Sequence, residues 1–157
     1  MKPIIFLLTV SYAVVTYLLV FVFGADERIH QLAEQTQRRL TALHSAEPEA
    51  DRIKKCEIIL SDEGFLRHRR TYATGKQEYY SLNLSRLRSV DYYGTIKAGS
   101  LTLHTQEDDV IVQTYNDRSG NVDSMSVRFD LSLRIVEPED ISALERDLIE
   151  LKRLVSK

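Results

Sequence analysis

The hydrophobic period of the chain changes at a single proline. From Met125 to Ile135 every second residue is apolar, whereas beyond Pro138 the apolar residues Ile141, Leu144, Leu148, Leu151 and Val155 return every three or four positions. A period of two describes a strand with one buried face, and a period near 3.6 describes a helix with one buried stripe. Each face needs something to cover it, so the pattern predicts a sheet closed off by a terminal helix. Pro138 suits the first helical turn, Glu139 and Asp140 suit the positive end of the helix dipole, and Lys152, Arg153 and Lys157 suit the negative end.

Upstream, short apolar-alternating runs separated by turn residues predict further strands. They cover residues 53–60, 65–72, 77–85, 86–93, 100–105 and 110–115, with "SDEG", "ATGK", Gly94, "QEDD" and "NDRSGNVDS" between or after them. The last strand is expected to run unbroken from Met125 to Ile135, with Met125, Val127, Phe129, Leu131, Leu133 and Ile135 on its buried face. The fold class is therefore mainly β with one C-terminal capping α-helix.

The segments "EIILSDEGFLRHRR" and "YYSLNLSRLRSV", with Leu84-Ser85-Arg86-Leu87 and Val90, resemble the bacterial pleckstrin-homology-like (PH and GRAM-type) pattern. The closing "LRIVEPEDISALERDLIEL" is similar to that family's final strand and capping helix. The resemblance covers residues 53–155 and implies a seven-stranded, partly open barrel. Lipid-binding members use a lysine that ends strand one and an R-x-R pair on strand two. Arg67-His68-Arg69 matches the pair, while Lys54 and Lys55 begin their strand.

The other end of the chain is of a different kind. From Pro3 to Ala25 there is no charged residue, and about 20 apolar residues suffice to span a hydrocarbon core. The run is read as a transmembrane anchor, contacting the bilayer through residues 3–24. A cleaved leader is the rival, but its apolar region usually covers roughly 7–15 residues. Arg28, Arg38 and Arg39 follow the run and outnumber Lys2 before it, which by the positive-inside rule places the remainder in the cytoplasm. Ile29, Leu32, Thr36, Leu40 and Leu43 then form a narrow stripe on a polar helix. That stripe fits a homodimer contact or a helix lying on its own domain, and the absence of sustained heptads disfavours the dimer. Three segments result: an anchor over 1–25, a helical connector and linker over 26–51, and a β domain over 52–157.

With a formal net charge of −2, no global excess points to nucleic acid. The charge is divided, however. Residues 52–105 carry ten Lys/Arg and five Asp/Glu, and residues 106–157 carry seven and twelve. Within the basic half, Arg67, Arg69, Arg70, Lys76, Arg86 and Arg88 are the candidate binding residues, because alternate residues of a strand can reach one anionic group together. No catalytic, cofactor or metal site is expected. His30, His44, His68 and His104 have neither i,i+4 nor H-x-H spacing, and Cys56 reads as a small buried side chain of the first strand. The acidic triplet at 107–109 and the oxygen-rich loop at 116–124 read as solvated turns.

These features predict a single-pass, membrane-anchored, non-catalytic module that binds a protein partner. A domain that binds anionic lipid headgroups is the first alternative, and a secreted β domain with a cleaved leader the second.

Overall fold

The computed structural model describes residues 26–46 and 52–156. The uncharged run and the linker proline Pro48 lie outside the described residues. Among those described, no helix is long and apolar enough to cross a membrane.

A first helix, α1, is described over residues 26–43. Among the described residues eight strands follow: β1 (Ile53–Leu60), β2 (Phe65–Tyr72), β3 (Gln77–Asn83), β4 (Leu87–Gly94), β5 (Ala98–Thr105), β6 (Val110–Tyr115), β7 (Asp123–Ser126) and β8 (Arg128–Arg134). The second helix, α2 (Pro138–Val155), closes the chain. A single 3-10 turn, Leu84–Arg86, separates β3 from β4. There Asn83 caps the turn by accepting a hydrogen bond from the Ser85 amide.

The strands form two antiparallel sheets, ordered β1-β2-β3-β6-β7 and β4-β5-β8. They do not close into a barrel, in place of the seven-stranded partly open barrel that the resemblance implies. The long final strand is also two strands. β7 pairs with β6 in the larger sheet, and β8 pairs with β5 in the smaller one. The chain changes sheets at Val127, where the Ser126 hydroxyl both donates to the Arg128 carbonyl and accepts from its amide. Because the strand is broken there, alternation does not carry through. Phe129, Leu131 and Leu133 are fully buried, whereas Met125, Val127 and Ile135 are exposed.

The inner faces of both sheets meet in one core. Leu60, Leu66, Leu82 and Val110 come from the larger sheet, and Leu101, Leu103, Phe129, Leu131 and Leu133 from the smaller. Leu144, Leu148 and Leu151 of α2 complete the cover, as the period after Pro138 predicts. Gly64 lies under the far end of this helix. Its φ of 80° belongs to the left-handed region, and a Cβ built there would come within 2.8 Å of Val155.

The helix α1 belongs to the same core. Ala33, Thr36 and Leu40 are buried, with Ile29, Leu32 and Leu43 packed beside them, so the narrow stripe faces the chain's own domain. Polar contacts fix the helix at several points. Arg39 donates to Asp147 of α2 at 2.6 Å, and Arg28 to Glu150 at 2.9 Å. The Gln37 side chain accepts from the Leu60 amide at 2.7 Å. Beyond α1, His44 bridges to Leu133 and the Ser45 amide donates to the Ser132 carbonyl, so the chain leaves the helix along the free edge of β8.

Candidate functional site

Alternation sorts the residues of β1, β2, β3 and β6 onto two faces. Register places Ile59, Arg67, Ser81, Ile111 and Met125 in one row across the larger sheet, and Glu57, Arg69, Tyr79, Gln113 and Asp123 in the next. These rows lie on the outer face, away from the core. Ile59, Ile111, Tyr115 and Met125 are 37–55% exposed there. Two shallow depressions flank the Arg69–Tyr79 pair. One, of about 600 Å³, is lined by Arg69, Gln77, Tyr79, Gln113, Tyr115 and Asn116. The other, of about 220 Å³, is lined by Glu57, Ile59, Arg67, Arg69 and Tyr79.

The six basic residues named from the sequence do not share a surface. Arg67 and Arg69 point outward together, as strand alternation requires, and the Arg67 guanidinium lies over the Phe65 ring. Arg70 points inward and pairs with Glu78 at 2.6 Å. Lys76, in the β2–β3 turn, bridges Glu78 at 3.0 Å and Asp117 at 2.9 Å. Arg86 is bound to Asp109 across the β5–β6 turn at 2.9 Å. Arg88 stands exposed on β4. Burial opposes ionisation of Glu78, but Lys76, Arg70 and the Tyr72 hydroxyl together hold its carboxyl below the usual carboxylate range.

A second arrangement lies on the inner face, at the open end between the sheets. A cleft of about 500 Å³ is lined by residues that include His44, His68, Arg70, Glu78, Tyr80 and Asp130. At its side, Cys56 Sγ lies 3.1 Å from His44 Nε2 and 3.2 Å from His68 Nε2. The histidines meet edge-on, with ring centroids 5.0 Å apart, and His68 also stacks on Tyr80. His44 Nδ1 lies 3.0 Å from the Ser132 carbonyl, which can only accept, so Nδ1 carries the proton and Nε2 presents a lone pair to the sulfur. Burial lowers the pKa of both imidazoles. That of His68 is pushed down to about 3 by burial, by His44 and by the nearby Arg70 charge. Burial likewise pushes the Cys56 thiol up.

Sequence spacing did not reveal this group, because its members are twelve residues apart on either side of Cys56. Part of the signal was present. The β1–β2 register sets Cys56 opposite Arg70 and Ile58 opposite His68, which puts Cys56 and His68 diagonally on one face. His44 joins them only because α1 packs on the core and returns the chain past β8.

No known family, curated protein or solved structure matches the chain.

Proposed function

We propose that the protein is a membrane-anchored, non-catalytic interaction module that binds a protein partner through the outer face of its larger sheet. One observation carries this reading: on an outer face that neither described helix nor the other sheet covers, exposed Ile59 adjoins Arg67, and exposed Ile111, Met125 and Tyr115 extend the same surface across β6 and β7. Aromatic residues, methionine and arginine are the types enriched at protein interfaces, and a partner with acidic side chains beside an apolar projection would match them.

Anionic lipid is a weaker fit for this face. Each cation near a membrane surface contributes about 1 kcal/mol, and the outer face offers Arg67, Arg69 and Lys55, of which Lys55 is paired with Glu57 at 2.8 Å. Arg70, Lys76 and Arg86 are engaged by carboxylates of the chain itself. The uncharged run supplies the anchor. Since α1, described from residue 26, directly follows the run in sequence and is packed into the core, the domain would be held close to the bilayer, on the cytoplasmic side by the charge rule.

Site-specific photocrosslinking in intact membranes tests the proposal. A probe at Ile111 or Met125 is expected to give a discrete protein adduct, and a probe at Ser142, exposed on α2, is expected to give none. The adduct should disappear in the Arg67→Glu/Arg69→Glu chain. Equal products from Ser142, or none from the sheet, would overturn the reading, and an adduct whose mass is that of an acidic lipid would replace it with the lipid alternative. A mature chain beginning at Ala25 would remove the anchor.

A further inference from the structure

We propose that His44, Cys56 and His68 form a three-ligand binding site for a thiophilic transition-metal ion of the Zn2+ class, with its fourth position open to the inter-sheet cleft. The three donor atoms, two imidazole nitrogens and one sulfur, all lie within 4.8 Å of one another. In a tetrahedral zinc site with Zn–S near 2.3 Å and Zn–N near 2.05 Å, neighbouring sulfur and nitrogen ligands stand about 3.5 Å apart. The sulfur–nitrogen separations of 3.1 and 3.2 Å are a few tenths of an ångström short of that. Small side-chain rotations open them.

Hydrogen bonding already orients one of the three donors. His44 Nε2 is a lone pair, because its other nitrogen donates to the Ser132 carbonyl. The thiol proton can satisfy His44 Nε2, and His68 is then matched only as the tautomer that donates from Nε2 to the sulfur, a weak acceptor. A metal ion between the three atoms satisfies all of them at once. The Ser132 carbonyl is also the kind of outer partner that orients a ligating histidine and fixes its tautomer. The ligands come from three separate segments, the exit of α1, β1 and β2, each held by the core.

The donor set decides the class of ion. A thiolate with two imidazoles suits zinc and copper and gives magnesium or calcium no oxygen cage. Three protein ligands also leave one coordination position for water or an exchangeable ligand. Both imidazoles line the cleft, so that position faces it. The neighbouring Arg70 is balanced by Glu78 at 2.6 Å, which limits its repulsion of an incoming metal. This site is on the opposite side of the sheet from the proposed partner face, so either can fail without the other.

Titration of the reduced full-length chain with Co2+ tests the site. One equivalent is expected to give visible bands of tetrahedral intensity and a thiolate-to-cobalt charge-transfer band, both displaced by Zn2+. Cys56→Ser should abolish the charge-transfer band. His44→Gln and His68→Gln should each weaken binding at least tenfold. Should a variant fold poorly, the unaltered protein provides a second reading: stoichiometric Zn2+ should slow alkylation of Cys56, followed by mass. Absence of the charge-transfer band, undiminished binding by Cys56→Ser, or no protection of Cys56 would each overturn the proposal.

Discussion

Four successive residues of β2 live in two environments. Arg67 and Arg69 project from the outer face beside exposed Ile59 and half-buried Tyr79, while His68 and Arg70 project inward, where His68 is 4% exposed and Arg70 is paired with Glu78. Sequence alone presents "RHRR" as one basic cluster. The pleat divides it, and the division assigns different work to each half. Inward, a charge must be matched because water cannot solvate it. Outward, a charge is free to meet something else.

The largest expected contrast lies in the apolar residues of the same two faces. Leu82 is fully buried on the inner face of β3, and Ile111, opposite Ser81 on the outer face, is 37% exposed. Leu82→Ala should cost about 2–5 kcal/mol through lost contacts and the cavity left behind. Ile111→Ala should stay near 1 kcal/mol or below, as for most substitutions outside the core. Chemical denaturation of the two variants measures both. Comparable losses would show that something covers the outer face after all.

The next contrast is electrostatic. Glu78 is held ionised by Lys76, Arg70 and Tyr72 with its side chain only 13% exposed. Glu78→Gln should cost roughly 1–3 kcal/mol at neutral pH, the range for losing a charged hydrogen-bond partner. The folded carboxyl has a lowered pKa, so its contribution is complete above the unfolded value of 4.5 and is lost as pH falls through the folded value. The gap between the two proteins should therefore narrow on acidification below pH 4.5. A gap that is constant down to pH 3 would mean that Glu78 acts by shape and not by charge.

How much of this was legible in the sequence depends on the range of the interaction. The limits of β1, β2, β6 and α2 follow from local alternation, Gly64, Gly75 and Pro138, and they agree with the structure. The break at Val127 was hidden. Met125 and Val127 continue the apolar alternation of Phe129, and only the competition of two sheets for one strand separates them. The packing of α1 was hidden for another reason, since a narrow apolar stripe does not specify what covers it. From that missed contact follows the missed convergence of His44 on Cys56. The inward turn of Arg70, by contrast, was readable, because alternation from Arg67 and Arg69 already excludes it from their face.

The smallest expected effect is the most informative about the outer face. Arg67→Glu and Arg69→Glu reverse charges on a surface where Arg69 already faces Glu57 across the β1–β2 pairing. Each should alter stability by about 0.5 kcal/mol or less, because exposed charge pairs contribute little and are screened by salt. Arg67 is the stricter case, since its guanidinium rests on Phe65 and its Nε is buried without a hydrogen-bond partner. A buried donor left unmatched adds nothing to stability, so its removal offsets part of the lost stacking. Thermal melting at low and moderate salt measures both variants. A drop comparable to that of Glu78→Gln would make these arginines part of the scaffold, leaving the outer face without the charges that a partner would recognise. A melting curve that hardly moves, beside a crosslink that disappears, would separate recognition from folding in two residues of one strand.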